Sequence, residues 1–412
     1  MGSEPLPPLE ALRHLFRQVL MGNSFYQRKL SGAGVVGIPE SIEMFRTQVP
    51  FTTKSELVAD QLDHPPYGTN LSVPLAHYTR CHQTSGTSGH PLRWLDTPDS
   101  WSAMTDDWAE VLRAAGVTRE DRVLFAFSFG PFLGFWLAFE AAQTLGCLCI
   151  AGGGMSTSLR ARVLLEHQCT VLCCTPTYAL HLAETGRRDG LPLNSSALRL
   201  IVVAGEPGGS QPATRQHLSN AWNGARVFDH HGMTEVGPVT YEDPSQPGQL
   251  RVLARSFFSE VCDPITGEST PENEPGELVL TTLRRSGSPL IRYRTGDLVC
   301  AHWEGEQLVL RGGILGRVDD MVIVRGVNVY PSALEELVRA DPSIKEYRVT
   351  LDTRKALPEL FVEIEGDTHC AQQLERRIQD ALTLRVPVHA VPPELLPRFE
   401  FKARRWRRLE AA

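Results

Sequence analysis

The chain contains no apolar stretch long enough to cross a lipid bilayer. Its longest such stretches, for example residues 133–142, are short and interrupted, whereas a membrane-spanning helix needs about 20 mainly apolar residues. No signal peptide is recognisable in the opening residues either. We therefore expect no membrane partner and a cytoplasmic location.

Positive charge is also in short supply. The 41 Lys and Arg residues are outnumbered by 48 Asp and Glu residues, which gives a net charge of −7. A general nucleic-acid-binding surface is normally basic, so we expect no nucleic-acid partner. The 42% hydrophobic and 22% charged residues are typical of a soluble globular protein. A length of 412 residues favours a large α/β unit with a second unit appended.

Two common nucleotide-binding signatures are missing. The sequence has no G-x-x-x-x-G-K-[ST] loop and no G-x-G-x-x-G fingerprint opening a helix. Residues 83–92 instead read Q-T-S-G-T-S-G-H-P-L, in which glycines permit a tight turn and hydroxyls supply donors for phosphate oxygens. Taken alone, this stretch is also compatible with an ordinary flexible loop. The residues predicted to cradle a triphosphate are Thr84, Ser85, Gly86, Thr87, Ser88 and Gly89.

The order of strand-like and helix-like segments predicts an α/β fold. Between residues 120 and 230, five short β-rich runs alternate with helix-like stretches, which indicates a mainly parallel sheet flanked by helices. After residue 245, turn-punctuated strands predict a β-rich subdomain of antiparallel hairpins. The last hundred residues predict a small α+β domain.

Two short motifs point to phosphate and ribose chemistry. In G-M-T-E-V-G, Thr234 and Glu235 place a hydroxyl beside a carboxylate, a pair that suits Mg²⁺ bridging a phosphate. In Y-R-T-G-D-L, the carboxylate of Asp297 can accept hydrogen bonds from both hydroxyls of a ribose. Each has a simpler alternative, because Glu235 fits a solvated loop and Asp297 fits a turn.

A lysine near the carboxyl end completes the set. Lys402 lies in L-P-R-F-E-F-K-A-R-R, although in isolation it is one of five cations in the K-A-R-R-W-R-R tail. It follows the phosphate loop, the Thr-Glu motif, the Thr-Gly-Asp motif and a G-R-V-D-D-M motif in a fixed order. The ordered set, rather than any single motif, favours a functional interpretation.

These motifs resemble the adenylate-forming enzymes, the superfamily of acyl-CoA synthetases, adenylation domains and luciferases. Within it the chain looks most like the phenylacetate-CoA ligase group. The resemblance runs from about Phe51 to Arg405 and includes F-T-T-K, T-V-L-C-C-T-P-T-Y-A-L, A-G-E-P, P-L-I-R-Y-R-T-G-D-L and I-L-G-R-V-D-D-M-V-I-V-R-G-V-N-V-Y-P. It implies a two-step reaction in which a carboxylate and ATP give an acyl-adenylate and pyrophosphate, and a thiol then takes the acyl group and releases AMP.

The resemblance also implies roles for particular residues. Lys402, Thr234 and Glu235 would be catalytic, with Glu235 holding Mg²⁺, and the Ser/Thr/Gly loop would hold the β- and γ-phosphates. ATP, Mg²⁺ and coenzyme A are the implied cofactors. The residues implied to bind the nucleoside are Gly205, Glu206, Pro207, His231, Asp297 and Arg317. The residues implied to line the acyl site are Phe129, Gly130, Phe132, Phe135, Ala204, His230 and Gly232.

The two half-reactions predict a mobile carboxyl-terminal domain. Lys402 and the Gly326 segment, which would line the thiol tunnel, serve different half-reactions and cannot occupy the site together. We therefore predict an ATP- and acyl-binding domain over 1–316 and a small mobile domain over 317–412. Asp319 would be the hinge.

Some residues depart from the family pattern. The residue before the catalytic lysine is usually glycine in relatives and is Phe401 here, and the residue after the phosphate loop is His90 where lysine is common. A degenerate relative that binds nucleotide without turnover is therefore one alternative. A second alternative is an adenylation enzyme that loads the phosphopantetheine of a carrier protein. A homodimer is left open as well.

The acyl group is predicted to be small and aromatic. The run F-S-F-G-P-F-L-G-F-W over residues 127–136 offers flat walls and small residues that favour a ring over a long chain. His230 or His231 could hydrogen-bond a ring amino or hydroxyl group. The sequence thus predicts an aryl-CoA ligase acting on an acid of benzoate, phenylacetate or aminobenzoate size.

Overall fold

The computed structural model describes residues 6–84, 91–325, 327–354, 358–399 and 403–409. The helices are, in chain order, α1 (Pro8–Gly22), α2 (Ser24–Gly32), α3 (Ile42–Gln48), α4 (Lys54–Asp63), α5 (Pro98–Ala114), α6 (Leu133–Thr144), α7 (Thr157–Glu166), α8 (Pro176–Arg188), α9 (Pro212–Ala221), α10 (Pro331–Arg339) and α11 (Thr368–Leu382). Two 3₁₀ turns lie at Leu75–His77 and Leu193–Ser195.

The strands are, in the same order, β1 (Arg80–Gln83), β2 (Arg93–Asp96), β3 (Arg122–Phe125), β4 (Leu148–Ala151), β5 (Val171–Cys174), β6 (Leu200–Val203), β7 (Arg226–Asp229), β8 (Gly232–Met233), β9 (Gly237–Pro238), β10 (Thr240–Glu242), β11 (Gln249–Val252), β12 (Phe257–Cys262), β13 (Pro275–Thr282), β14 (Tyr293–Glu304), β15 (Gln307–Arg317), β16 (Val322–Val324), β17 (Val327–Val329), β18 (Tyr347–Asp352), β19 (Glu359–Glu365), β20 (Val388–Val391) and β21 (Trp406–Leu409).

The chain forms two compact units, each built from three segments. The first unit comprises Met1–Glu120, Ser128–Cys149 and His230–Arg311, and the second comprises Asp121–Phe127, Ile150–Asp229 and Gly312–Ala412. Each unit therefore brings together residues that are far apart in the chain. The predicted boundary at residue 316 and the hinge at Asp319 stay predictions.

In the first unit, amino-terminal helices precede a six-stranded sheet. Helix α1 buries the apolar face that its sequence spacing predicts, and α4 begins with a capping box between Thr53 and Glu56. The sheet order is β10-β11-β15-β14-β13-β12, and the pairs β12–β13 and β13–β14 are antiparallel, as the hairpin-like sequence after residue 245 predicts. The β8–β9 hairpin, which carries Thr234 and Glu235 in its turn, belongs to this unit.

The second unit contains the parallel sheet. Its order is β4-β3-β5-β6-β7, and the pairs β3–β5, β5–β6 and β6–β7 are parallel. Strands β5 and β6 are buried along their whole length, which matches their nearly continuous apolar sequence. All five strands predicted between residues 120 and 230 are present, so the α/β fold class is confirmed.

The carboxyl-terminal part of the second unit has a sheet and a hydrophobic cluster of its own. The sheet order is β20-β19-β18-β21, and helices α10 and α11 contribute Leu334, Val338, Leu374 and Ile378 to the cluster. A separate cluster packs around β5 and β6 and includes Tyr178 and Trp222. Within the described ranges, no helix combines the length and the hydropathy that crossing a bilayer would require.

Candidate active site

The turn of the β8–β9 hairpin holds the predicted phosphate and metal residues. Thr234 and Glu235 occupy this turn. Gly237 closes it with a φ of 92°, a backbone conformation that residues with a side chain rarely adopt. The carboxylate of Glu235 is only 5% exposed, and its Oε1 lies 3.1 Å from Nζ of Lys54 at the start of α4. A buried carboxylate is therefore balanced by one lysine cation.

A buried ion pair fixes the backbone of the same turn. Arg285 donates two hydrogen bonds of 2.7 Å to the carboxylate of Asp96, and the two side chains are 2% and 0% exposed. Its Nη1 also donates to the carbonyl oxygens of Thr234 at 2.7 Å and Glu235 at 3.0 Å. Neither Asp96 nor Arg285 was predicted from sequence, because 189 positions separate them and neither lies in a recognised motif.

The predicted ribose and adenine residues of the first unit lie side by side. Nε2 of His231 is 3.0 Å from Oδ2 of Asp297, and the Asp297 side chain is 4% exposed. The turn before Asp297 is held by Thr295, whose hydroxyl donates to the carbonyl oxygen of Leu278 and accepts from the amide of Asp297. An imidazole and a carboxylate are thus brought together, and their roles towards purine and ribose stay predictions.

His230 is buried and held in one tautomer. Its ring lies 4.2 Å from that of Trp108, centroid to centroid, and Nδ1 lies 2.6 Å from the carbonyl oxygen of Thr240. Because a carbonyl can only accept, Nδ1 carries the proton and Nε2 is the unprotonated nitrogen. Burial lowers the pKa of His230 to about 3, so the ring is neutral near pH 7.

The start of helix α6 and the loop before it form a half-buried aromatic surface, called here the α6 surface. The rings of Phe129 and Trp136 are 4.9 Å apart, and those of Phe132 and Phe135 are 5.9 Å apart. Gly130 has a φ of 47°, and its carbonyl oxygen accepts a hydrogen bond from the Trp136 indole at 3.0 Å. Helix α6 packs against both β8 and β9, so the aromatic surface and the Thr-Glu turn belong to neighbouring elements of one unit.

The predicted phosphate loop is described only at its base. The Thr84 amide donates to the Leu92 carbonyl oxygen and the Leu92 amide donates to the Thr84 hydroxyl, both at 3.0 Å. These two bonds hold together the residues on either side of the predicted loop. Residues 85–90, which include Ser85, Gly86, Thr87, Ser88 and Gly89, lie outside the described residues. The role of Thr84 as a phosphate ligand stays a prediction.

The A-G-E-P segment belongs to the second unit. Gly205 has a φ of 91°, and the Glu206 carboxylate accepts hydrogen bonds from the backbone amides of Thr177 at 2.6 Å and Ala403 at 3.1 Å. Gly205 and Pro207 are exposed, and Ala204 is half-buried. Sequence reasoning placed Glu206 against adenine and did not foresee its contact with the carboxyl-terminal tail.

The remaining predicted residues are partly outside the described ranges. Lys402 and Gly326 are not among the described residues. Arg317 lies at the end of β15, where its Nε donates to Oδ1 of the exposed Asp319 at 3.1 Å. The ribose role of Arg317 and the hinge role of Asp319 therefore stay predictions.

The donor set around Glu235 fits a magnesium ion better than a transition metal. Within the described ranges, no group of three or more His, Cys, Asp and Glu side chains is placed to hold a metal. Mg²⁺ commonly binds proteins through one or two carboxylates, completing its shell with substrate phosphates and water. One buried carboxylate, with the Thr234 hydroxyl beside it in the chain, is compatible with that mode of binding.

Comparison with known proteins defines the class. Residues 82–283 match the family model of AMP-binding enzymes, and residues 326–407 match that of the AMP-binding enzyme C-terminal domain. The fold and the motifs are therefore those of an adenylate-forming enzyme.

Relatives define the group. Phenylacetate-coenzyme A ligase of Thermus thermophilus is 31% identical, over 95% of this chain and 93% of that protein. The enzyme of the same name from Escherichia coli K12 is 32% identical, over 95% and 91%. A solved structure of 2-hydroxyisobutyryl-CoA ligase, in the postadenylation state in complex with 2-HIB-AMP, has a TM-score of 0.91 and 27% identity, over 98% and 91%.

The chain belongs to the phenylacetate-CoA ligase-like group of the adenylate-forming superfamily, and the family prediction is confirmed. It is an AMP-forming acid-CoA ligase, which activates a carboxylic acid with ATP through an acyl-adenylate and transfers the acyl group to coenzyme A.

Proposed function

We propose that the acid is a small aromatic carboxylic acid, of benzoate, phenylacetate or aminobenzoate size. The observation that carries this proposal is the half-buried aromatic surface of α6, which packs against the β8–β9 hairpin. Phe129, Phe132 and Phe135 offer ring faces and edges to a flat substrate. Gly130 and Gly232 carry no side chain, and Ala204, if it lines the acyl site as the sequence predicts, would add only a methyl group.

His230 would supply a polar contact to a substituted ring. Because Nδ1 donates to Thr240, the unprotonated Nε2 is suited to accept a hydrogen bond from an amino or hydroxyl group. The low pKa of His230, about 3, keeps this acceptor in place across the physiological range. We therefore expect hydroxy- and aminoaryl acids among the substrates, with His230 or His231 as the polar contact.

The first half-reaction needs positive charge and hydrogen-bond donors, because the carboxylate and ATP are both anions. The carboxylate oxygen attacks the α-phosphorus, the bond to the bridging oxygen breaks, and pyrophosphate leaves. Lys402 would bridge the carboxylate and the α-phosphate, Thr234 would contact the α-phosphate, and the loop at 84–89 would hold the outer phosphates. Arg285 would keep the Thr234 carbonyl and hence the turn in position.

Glu235 would hold Mg²⁺ beside the phosphates. When bound, the ion neutralises phosphate charge. Lys54 lies 3.1 Å from the same carboxylate and balances its charge. His231, Asp297, Arg317, Gly205 and Pro207 would contact the nucleoside, and the proximity of His231 to Asp297 supports that grouping.

In the second half-reaction the thiolate of coenzyme A attacks the adenylate carbonyl, and AMP leaves. We infer that residues 317–412 rotate about Asp319 between the two half-reactions and that the Gly326 segment lines the thiol tunnel. Solved structures of 2-hydroxyisobutyryl-CoA ligase in a postadenylation state and in a thioesterification state support a change of this kind. Carrier-protein loading and a homodimer stay hypotheses.

A panel of acids tests the proposed substrate. AMP formation is measured with benzoate, phenylacetate, 2-aminobenzoate, 2-hydroxyisobutyrate and octanoate, each with and without coenzyme A. We expect at least one aryl acid to give the highest kcat/KM. A small aliphatic acid is the main competitor, because the structurally similar ligase is named for 2-hydroxyisobutyrate.

Paired variants separate the aromatic surface from general stability. Phe135→Ala removes a ring of the α6 surface and should lower kcat/KM for the best aryl acid about tenfold, since a lost ring contact and its buried area cost roughly 1–3 kcal/mol. Trp303→Ala removes an exposed ring on β14 and should leave kcat/KM unchanged. Higher kcat/KM for 2-hydroxyisobutyrate or octanoate than for every aryl acid would contradict the proposal.

A further inference from the structure

The Glu206 carboxylate joins two parts of the second unit that are far apart in sequence. One oxygen accepts a hydrogen bond from the amide N–H of Thr177 at 2.6 Å, and the other accepts one from the amide N–H of Ala403 at 3.1 Å. The second contact spans 197 positions of the chain. Both carboxylate oxygens of Glu206 therefore accept hydrogen bonds from backbone amides.

The contact with Thr177 has an ordinary structural explanation. Thr177 is in the first turn of α8, where backbone N–H groups have no partner within the helix. A carboxylate at this position accepts a hydrogen bond from one of these N–H groups, and its negative charge interacts favourably with the positive end of the helix dipole. Thr175 caps the same helix by accepting from the amide of Tyr178 at 3.2 Å.

The contact with Ala403 has no such explanation. Ala403 directly follows the predicted catalytic residue Lys402 in the chain. The amide that donates to Glu206 is therefore part of the peptide bond between these two residues, whose Cα atoms are about 3.8 Å apart. Arg405 holds the tail after Ala403. Its side chain is 4% exposed and donates hydrogen bonds to the Glu346 carboxylate at 2.6 Å and to the Thr177 hydroxyl at 3.3 Å. The start of α8 and the tail are thus joined directly by Arg405 and Thr177 and indirectly through the Glu206 carboxylate.

We propose that Glu206 is a positioning residue that tethers the tail through the Ala403 amide and so sets the place of Lys402 for adenylate formation. The proposal rests on the role given to Lys402 under the proposed function. A carboxylate is suited to this task, because one group can accept two N–H bonds and both bonds are strengthened by its charge. Its role differs from the adenine contact that the sequence predicts for the same residue.

The main test compares the two half-reactions in Glu206→Gln. A glutamine keeps one acceptor oxygen and presents an NH₂ group to the second amide, so only one of the two bonds survives. We expect single-turnover adenylate formation to fall at least tenfold. Thioester formation from a supplied acyl-adenylate and coenzyme A should stay within about twofold of the parent. Glu206→Asp, which keeps the charge but is one methylene shorter, should recover part of the lost rate.

Limited trypsin digestion gives a readout independent of activity. Trypsin cleaves after Lys402 only when the neighbouring backbone can leave its hydrogen bonds, and the population of that open form sets the rate. Glu206→Gln should therefore release the fragment after Lys402 several times faster than the parent, whereas cleavage at other sites should keep its rate.

Thr175→Ala is the matched control for capping. It removes the neighbouring cap of α8 and leaves the Ala403 amide untouched, so it should lower the melting temperature without separating the half-reactions. Loss of both half-reactions to the same extent in Glu206→Gln, or no loss of adenylation, would overturn the proposal. If Lys402→Ala spares adenylation, the role of Lys402 fails, and unchanged tryptic cleavage in Glu206→Gln would overturn the tether separately.

Discussion

Two carboxylates in this protein sit in very different surroundings. Glu235 is nearly inaccessible, and the backbone of its turn is held by the buried pair of Arg285 and Asp96. Glu206 is half-buried, and it accepts one hydrogen bond from the Thr177 amide and one from the Ala403 amide of the tail. The first arrangement suits a turn that keeps its geometry throughout the reaction. The second suits a contact that forms in one half-reaction and breaks in the other.

The largest expected effect lies in the buried pair. Arg285→Met leaves the Asp96 carboxylate buried without its cation, and breaking a pair of this type costs about 3–5 kcal/mol of unfolding free energy. The loss is measured by urea unfolding at pH 7. Adding Asp96→Leu should restore much of the stability, because an apolar replacement of both partners removes the unpaired charge.

An exposed pair in the same unit is the control. Arg13→Gln breaks the contact with Glu10, whose side chain is 48% exposed, and should change the unfolding free energy by less than about 1 kcal/mol. Equal losses in Arg285→Met and Arg13→Gln would show that the turn does not depend on a buried ion pair.

The next effect concerns the predicted hinge. Proline at position 319 locks φ near −65° and should hinder rotation of the carboxyl-terminal domain. We expect at least one half-reaction to slow about tenfold in Asp319→Pro, which corresponds to roughly 1.4 kcal/mol. Asp319→Ala removes the same contact with Arg317 but leaves φ free, so it should run both half-reactions within about twofold of the parent. Parental rates in both half-reactions of the proline variant would exclude Asp319 as the pivot.

A smaller effect should appear in the pH dependence of stability. The pKa of His230 is lowered by burial to about 3, against about 6.5 in the unfolded chain. The unfolded state therefore binds a proton that the folded state does not, so the stabilising contribution is present above pH 6.5 and is lost as pH falls towards 3. Between pH 6.5 and 5.5 the unfolding free energy should fall by about 1 kcal/mol through this one histidine.

The measurement is urea unfolding of His230→Gln across the same pH range. The variant should lose about 1 kcal/mol of the pH dependence, whatever its absolute stability. His369→Gln changes an exposed histidine and should retain the parental slope. A parental slope in His230→Gln would mean that the ring does not stay neutral in the folded protein.

The sequence predicted the fold well where local pattern determines structure. The parallel strands β5 and β6 were found because buried parallel strands are continuous apolar runs, such as V-L-C-C at β5. The short strands β17 and β21 were missed, and the amino-terminal helices α2 to α4 had no clear pattern. In those segments, packing against the rest of the chain decides the structure more than periodicity does.

Part of the candidate site was also predictable, because some of its residues lie in short local motifs. His231 and Asp297 were assigned to one nucleotide site from short motifs, and they lie 3.0 Å apart. The pairing of Arg285 with Asp96, and of Glu206 with Ala403, could not be predicted, because each joins residues nearly 200 positions apart. Long-range hydrogen bonds leave no local signature in a single sequence.

The most direct test of the account is the division of labour between the fixed turn and the tail. Single-turnover assays of Lys402→Ala should find adenylate formation slowed on the order of a hundredfold or more, because a preorganised charge on the reacting phosphate is lost. Thioester formation from a supplied acyl-adenylate should continue at close to the parental rate. An equal fall in both half-reactions would contradict the account and make Lys402 a structural residue.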